Sequence, residues 1–304
     1  MSVLVLGAGP VGSTATAAFL DRGTDVSMGT RSGTAVSGAA TVRVDASDAD
    51  ALTRAADGHS TIVVCTNPPY ARWRTEWPPI IDAVVRAARA THADIVMVGN
   101  LYSYGKATMP MTERSPEHPA DSKGEVRRDL WSTLRRATER GEVRAVEVRA
   151  SDYFGPGAGA DAHLGTRFFE PILAGKRSAA IGDPALPHSW AYLPDLASTL
   201  VAAAEYTGDW GRIWHVPAAT DLSRTQICRQ VNDRFGVWGS VSALPSWLIR
   251  GIGLASPMMR EVAASSYQFR MPFLSDAGET ERQLGVRATD WNTALDATVA
   301  SYRR

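Results

Sequence analysis

Six residues near the start of the 304-residue chain, Gly7-Ala8-Gly9-Pro10-Val11-Gly12, have the types and spacing that bring a backbone against a phosphate. In such a turn one glycine makes the tight bend, one lets the main chain approach a diphosphate, and one lets the next helix pack closely. The chemistry needs a strand before the turn and a helix after it, whose N-terminus offers free N–H groups and a positive dipole end. Both are legible. Residues 2–6 (SVLVL) are a short β-rich run, and residues 13–22 have helical composition with Gly23 as their stop. Gly7, Gly9, Pro10, Val11 and Gly12 are therefore expected to hold a dinucleotide.

The end of the second strand selects the cofactor. An acidic residue there would accept the ribose hydroxyls of NAD, but the chain reads Met28-Gly29-Thr30-Arg31-Ser32. Arg31 can pair with a 2′-phosphate and Ser32 can donate to it, so NADP is the expected cofactor, with NAD allowed. Asp45, after the third strand, either contacts the adenine amine or caps the next helix. Asn67, in Asn67-Pro68-Pro69-Tyr70 after the fourth strand, should run beside the nicotinamide end. Tyr70, Trp73 and Trp77 either wall an apolar pocket or pack on the helix that follows.

These residues need a sheet to position them. Apolar runs at 25–28, 41–44, 61–65, 94–98 and 143–148 continue the first strand, and they alternate with helical segments. Ser47 is expected to cap one helix; others span about 79–90 and 120–140. Continuous apolar strands imply burial on both faces, hence a parallel, doubly wound α/β sheet of Rossmann type. Residues 1–150 are read as the dinucleotide-binding domain. Residues 151–304 are read as a smaller substrate lobe that also returns elements to the core. Ser223 with Gln226, and Asp276 with Glu279, fit capping boxes in this lobe.

Lys+Arg and Asp+Glu balance at 32 each, so neither nucleic acid nor a membrane is an expected partner. A small-molecule substrate is expected, and a homodimer is allowed. Cys65 and Cys228 read as free thiols, and the scattered histidines give no metal site. The apolar N-terminus lacks a basic leader and runs into glycines, which reads as a strand and suggests a cytoplasmic protein.

With these motifs the chain resembles the extended or atypical branch of the short-chain dehydrogenase/reductase superfamily, of the NAD-dependent epimerase/dehydratase kind. Tyr104-Gly105, Thr112-Glu113, Lys123-Gly124, the run from Ser151 to Gly157, the run from His188 to Ala197, and Glu281 to Gly285 with Trp291 carry the resemblance. It implies a Ser/Thr–Tyr–Lys triad, in which tyrosine moves a proton at the substrate oxygen. Here the chain departs from the pattern: Asn100 stands at the Ser/Thr place and Pro119 at the tyrosine place, so only Lys123 remains. Lys123 is then expected at the cofactor ribose and as a catalytic candidate.

Three further residues are catalytic candidates. Tyr102 could be a relocated proton donor or an ordinary packed aromatic. Asn100 could bond a substrate carbonyl or tie two loops together. His188 could donate a proton near neutrality or simply pack. Asp152, leaving the sixth strand, is placed by the resemblance beside the nicotinamide amide. The aromatic residues around 153–190 and 238–247 suggest an apolar or aromatic substrate. The main expectation is an NADP-dependent reductase or dehydrogenase acting on a carbonyl or activated double bond. The alternatives are an epimerase, dehydratase or non-redox isomerase with bound cofactor, or an NADP-sensing regulator.

Overall fold

The computed structural model describes residues 1–245 and 265–303. Its first half alternates strand and helix: β1 (Ser2–Leu6), α1 (Pro10–Asp21), β2 (Asp25–Thr30), β3 (Ala40–Arg43), α2 (Ala49–Ala56), β4 (Thr61–Val64), α3 (Trp73–Thr91), β5 (Asp94–Asn100), α4 (Ser122–Glu139) and β6 (Ala145–Ala150). After β7 (Tyr153–Phe154), α5 (Thr166–Leu173), β8 (Arg177–Ala180) and β9 (Trp190–Tyr192), the chain returns through α6 (Leu193–Ala204) and β10 (Arg212–His215). β11 (Ala218–Thr220), α7 (Arg224–Phe235), β12 (Ser240–Ala243), α8 (Gly278–Leu284) and α9 (Trp291–Tyr302) complete the described elements.

Seven parallel strands form the central sheet in the order β10-β6-β5-β4-β1-β2-β3. Side chains alternate across each strand, and both faces are apolar. Leu4, Leu6, Ile62, Val64, Ile95 and Met97 meet α2, α3 and α4, whose Leu52, Trp77, Val84 and Leu130 share their core. Val3, Val5, Val63, Val96, Val146 and Val148 meet α1 and α6 through Ala15, Phe19, Leu196 and Leu200. Chain order reverses between β1 and β4, and the connections leaving those strands go to opposite faces. A crevice therefore opens at their carboxyl ends, where such sheets take ligands.

The second lobe packs the sheet β11-β9-β7 and the pair β12-β8 with α5, α7 and α9 around Phe154, Phe168, Phe169, Trp190, Ile227, Phe269 and Leu295. The capping box at Ser223 and Gln226 is present. Three local expectations are corrected. Asp48, not Ser47, caps α2, because its carboxylate accepts from the Asp50 and Ala51 amides. Asp276 and Glu279 form no capping box: α8 starts after Ala277 without a side-chain cap, and Glu279 pairs with Arg114 instead. Helix α3 starts at Trp73, not near Pro79, and carries Pro78 and Pro79 inside it. Burial of Trp73 and Trp77, one turn apart on the core side, favours that early start.

Candidate functional site

Gly7 begins the turn after β1 with φ +102°, and a Cβ there would lie 2.8 Å from the Thr66 backbone. A Cβ on Gly12 would lie 1.8 Å from the Gly7 carbonyl oxygen, so helix α1 can seat only with glycine at that place. Gly9 differs: a Cβ there would meet no atom of the chain within 4 Å. Packing does not require glycine at position 9; a ligand needing close backbone approach does. Gly9 caps α1 without a side-chain bond, and Pro10 occupies the first turn. The first intrahelical bond runs from the Ser13 amide to the Gly9 oxygen at 2.9 Å. The Val11 and Gly12 amides precede it and point out of the helix end. These residues fit a diphosphate.

A cleft of about 560 Å³ continues from this turn, and Gly7, Ala8, Thr30, Arg31, Ser32, Thr34, Asp45, Thr66 and Asn67 are among its lining residues. No acidic side chain ends β2. The exposed Arg31 and Ser32 stand at the mouth, with the Arg31 carbonyl held by Arg43 Nε at 3.1 Å. Asp45 accepts from the Ser47 amide (2.9 Å) and hydroxyl (2.7 Å), and these bonds hold its carboxyl below the ordinary range. Asp45 therefore closes its own turn and does not cap α2, while still facing the cleft. Cys65 and Cys228 are free thiols; burial pushes Cys65 up to about 12, so it is no nucleophile at neutral pH.

Beyond Asn67 the carboxyl edge gathers a second set of groups. Asp121 caps α4, accepting from the Lys123 and Gly124 amides, and Lys123 is buried in that first turn. A Cβ on Gly124 would lie 2.4 Å from the Tyr102 carbonyl oxygen, so glycine lets α4 press against the turn after β5. Lys123 Nζ consequently lies 5.2 Å from the centre of the Tyr70 ring. The Tyr70 and Tyr102 hydroxyls are 3.3 Å apart. Burial raises the pKa of both, Tyr102 the further, and the negative charge of Asp152 adds to the effect. Asn100 spends its Oδ1 on the Tyr102 amide at 3.1 Å and so holds that turn in place.

Asp152, just after β6, and His188, just before β9, meet with Oδ2 and Nε2 2.8 Å apart. Burial alone would raise the Asp152 carboxyl, but His163, His188 and Arg224 outweigh it and hold the group below its ordinary value. His188 is buried between Phe269, Phe273 and Trp190, with Ser151 Oγ 3.5 Å from Nε2. This pair is a charge-bearing unit walled by aromatics, close enough to Tyr70 and Tyr102 for its carboxylate to act on both phenols.

The expectation of an apolar pocket is not met by the residues named for it. Trp73 and Trp77 are core residues, 2% and 0% exposed, and the Arg127 guanidinium stacks on both rings. The second lobe's Phe168, Phe169 and Trp190 fill its own core, Trp238 is 86% exposed, and Trp247 lies outside the described residues. Trp73, Trp77, Phe168 and Phe169 here satisfy burial in the cores and do not wall a pocket.

Sequence reasoning passed over several residues. Arg127, one turn after Lys123, is buried and bonds the Val98 carbonyl (3.0 Å) and Asn67 Oδ1 (3.4 Å), fixing the loop after β4. Its signal was an arginine between Val126 and Leu130 on an apolar helix face. His163, Arg224, Tyr267 and Gln268 carry no motif; His163 lies on a loop, Arg224 at the start of α7 and Tyr267 and Gln268 on a short helical turn, and only tertiary contacts bring them to the centre. Among the described residues no group of three potential ligands could hold a metal, and no helix is long and apolar enough to cross a membrane.

Comparison with known proteins agrees with this architecture. The profile of the family described as NAD dependent epimerase/dehydratase matches residues 3–216. No curated protein matches the chain. Among solved structures, the UDP-glucuronic acid 4-epimerase of Bacillus cereus, in complex with UDP-glucuronic acid and NAD, is 16% identical with a TM-score of 0.80, covering 100% of this chain and 99% of that one. A double mutant of the dTDP-glucose 4,6-dehydratase of Streptomyces venezuelae, with NAD bound, is 20% identical with a TM-score of 0.79, covering 100% and 97%. The UDP-glucose 4-epimerase of Thermotoga maritima, with UDP-glucose, is 16% identical with a TM-score of 0.80, covering 100% and 99%. At these identities the likeness is one of fold.

Proposed function

The chain belongs to the NAD dependent epimerase/dehydratase family, and on that premise we propose that it is a dinucleotide-dependent epimerase or dehydratase acting on a hydroxylated carbon of a small polar substrate. The observation that carries this reading is the gathering of proton-handling groups around Tyr70, three residues beyond the cleft-lining Asn67: Tyr102, Lys123, and the Asp152–His188 pair, whose carboxylate acts on both phenols. A bound nicotinamide dinucleotide would take a hydride from a substrate carbon and can return it within one turnover.

The chain's own residues do the rest. The turn from Gly7 to Gly12 would offer main-chain amides to the diphosphate, with the cleft-lining Asn67 toward the nicotinamide end and Arg31, Ser32 and Asp45 toward the adenosine end; the family resemblance assigns Lys123 to the ribose. The phenols hold protons at neutral pH, as reversible hydroxyl–carbonyl chemistry requires. The polar lining favours a substrate with hydroxyls over an apolar one. Nucleotide sugars, the substrates named for the neighbouring structures, are the first class to test.

Purified protein is expected to release tightly held dinucleotide on denaturation. The holoenzyme should convert a UDP- or dTDP-sugar, followed by chromatography, with no net change in absorbance at 340 nm. Stoichiometric loss of the 340 nm signal with a carbonyl substrate would replace this reading with that of a net reductase.

That second reading, an NADP-dependent reductase, is favoured by one observation: Arg31 stands where an acid would select NAD. Arg31→Ala is expected to weaken NADPH about tenfold or more, as loss of one charge-assisted contact would, while NADH changes less than twofold. Equal losses in a fluorescence titration would remove the 2′-phosphate argument.

A further inference from the structure

We propose that Tyr70, on the turn after β4, is the group that exchanges a proton with the substrate oxygen, and that Tyr102 is the positioning residue that donates a hydrogen bond to it. The proposal rests on the hydride-transfer reading above and names its acid–base residue.

Three observations carry it. First, position: Pro119, just ahead of helix α4, stands four residues before Lys123, and no phenol comes from that helix end. The phenol ring beside Lys123 Nζ belongs to Tyr70 instead. Second, rigidity: the ring stacks on Trp73 at 4.8 Å between centroids and 19° between planes. Trp73 is itself fixed by its Nε1 bond to the Pro68 carbonyl at 2.9 Å and by the Arg127 guanidinium above it. A short helical turn at Tyr70–Arg72 holds the backbone. Such a ring spends little entropy when a substrate arrives.

Third, polarity. Tyr102 is the deeper hydroxyl, 8% exposed as a residue, while Tyr70 is only partly buried. Gln268 Oε1 accepts no hydrogen bond among the described residues, so the Tyr102 proton does not go there. The acceptor in reach is Tyr70 Oη. Tyr102 therefore donates to Tyr70, and the Tyr70 hydrogen is left for a third atom, which we assign to the substrate oxygen.

The step balances. As a substrate carbonyl carbon gains hydride from the reduced nicotinamide dinucleotide, its π pair becomes a lone pair on oxygen and captures the Tyr70 proton. The O–H bonding pair stays on Tyr70 as a phenolate. The Tyr102 hydroxyl donates to that phenolate, and Lys123 lies over the ring. In the opposite direction the phenolate takes the proton back as the carbon gives up hydride. Asp152 and Asp121 disfavour the phenolate and Arg127 favours it, so the protonated form is the resting one.

The test compares full-length wild type, Tyr70→Phe and Tyr102→Phe by tyrosinate absorbance at 295 nm during alkaline titration without cofactor. Removing the Tyr102 donor should raise the Tyr70 transition by about one pH unit, and Tyr70→Phe should delete it. A fall of the Tyr70 transition in Tyr102→Phe would mean that Tyr70 donates inward, which overturns the proposal. With the UDP- or dTDP-sugar that the holoenzyme converts, Tyr70→Phe should lower kcat about 10²- to 10⁴-fold with KM and dinucleotide affinity within about twofold, and Tyr102→Phe about tenfold. A greater loss in Tyr102→Phe would also overturn it. Wild type that converts no such sugar defeats the hydride-transfer reading, while the sign of the 295 nm shift still decides the relay.

Discussion

Gly9→Ala is expected to leave the protein folded and to remove its dinucleotide affinity. A methyl at position 9 meets nothing in the chain, and the backbone there (φ −73°) suits any residue. The methyl would occupy the space into which the N-terminus of α1 directs its amides, where a diphosphate must approach the main chain. We expect at least about 100-fold weaker binding of NAD(H) or NADP(H), equivalent to about 2.7 kcal/mol. The urea midpoint should stay where it is. Gly12→Ala separates the two effects in the other direction: its methyl would lie 1.8 Å from the Gly7 carbonyl oxygen, against backbone that cannot swing aside. That overpacking should cost about 3 kcal/mol of stability, and binding would fail with it. Paired calorimetric and denaturation measurements decide the matter. Unchanged affinity in Gly9→Ala would mean that the turn is only structural.

The second large effect is expected away from the cofactor. Arg149 and Glu147, on one face of β6, are 0% and 1% exposed and lie 2.7 Å apart, and Arg149 also reaches Glu117 Oε1 at 2.6 Å. Burial raises the Glu147 carboxyl, with Arg149 and Arg127 opposing it. Burial would lower the Arg149 guanidinium, but Glu147, Tyr104 and Glu117 outweigh it and raise the group. The carboxylate fits only because residue 99 is glycine, whose Cβ would lie 2.3 Å from Glu147 Oε1. Arg149→Leu leaves that carboxylate buried without its cation, and should cost about 3–5 kcal/mol in urea denaturation. Arg149→Leu with Glu147→Leu should lose less than the single variant, since two apolar groups carry no desolvation penalty. A cost below about 1 kcal/mol for the single change would show that water reaches the pair.

The two experiments fall on opposite sides of what a sequence can reveal. The diphosphate turn was legible because its requirements are local: a tight bend, a close approach and a helix start sit within six residues. β1, β4 and β5 were legible for a similar reason, since a continuous apolar run has few ways to avoid a sheet's interior. The sequence AVEVRA of β6 also led to a strand, but nothing in it says that both charges are buried. That follows from Glu117 and Tyr104 arriving on the loop after β5, where Tyr104 also meets His215, which burial pushes down to about 3 and keeps neutral.

The candidate site divides in the same way. Gly7, Gly9, Gly12, Arg31 and Asn67 were named as candidates from their places at strand ends, and all five line or border the cleft, while Lys123 was named only through the family resemblance. For Trp73 and Trp77 the sequence left a pocket wall and helix packing both open, because hydrophobicity identifies what is buried without saying against what; α3 turns both inward beneath Arg127. Tyr70 was read as pocket wall or helix packing, and Tyr102 as relocated donor or packed aromatic, because spacing along a chain carries no information about which hydroxyl lies outermost.

By itself the sequence determined a parallel doubly wound sheet and a tight glycine turn between β1 and α1, since both follow from short-range sterics and hydrophobic period. Only the tertiary structure decided where protons can move: the meeting of Asp152 with His188, and of Tyr70 with Tyr102. Those pairs come from segments 36 and 32 residues apart, and their direction and charge depend on burial and on loops that no local pattern encodes.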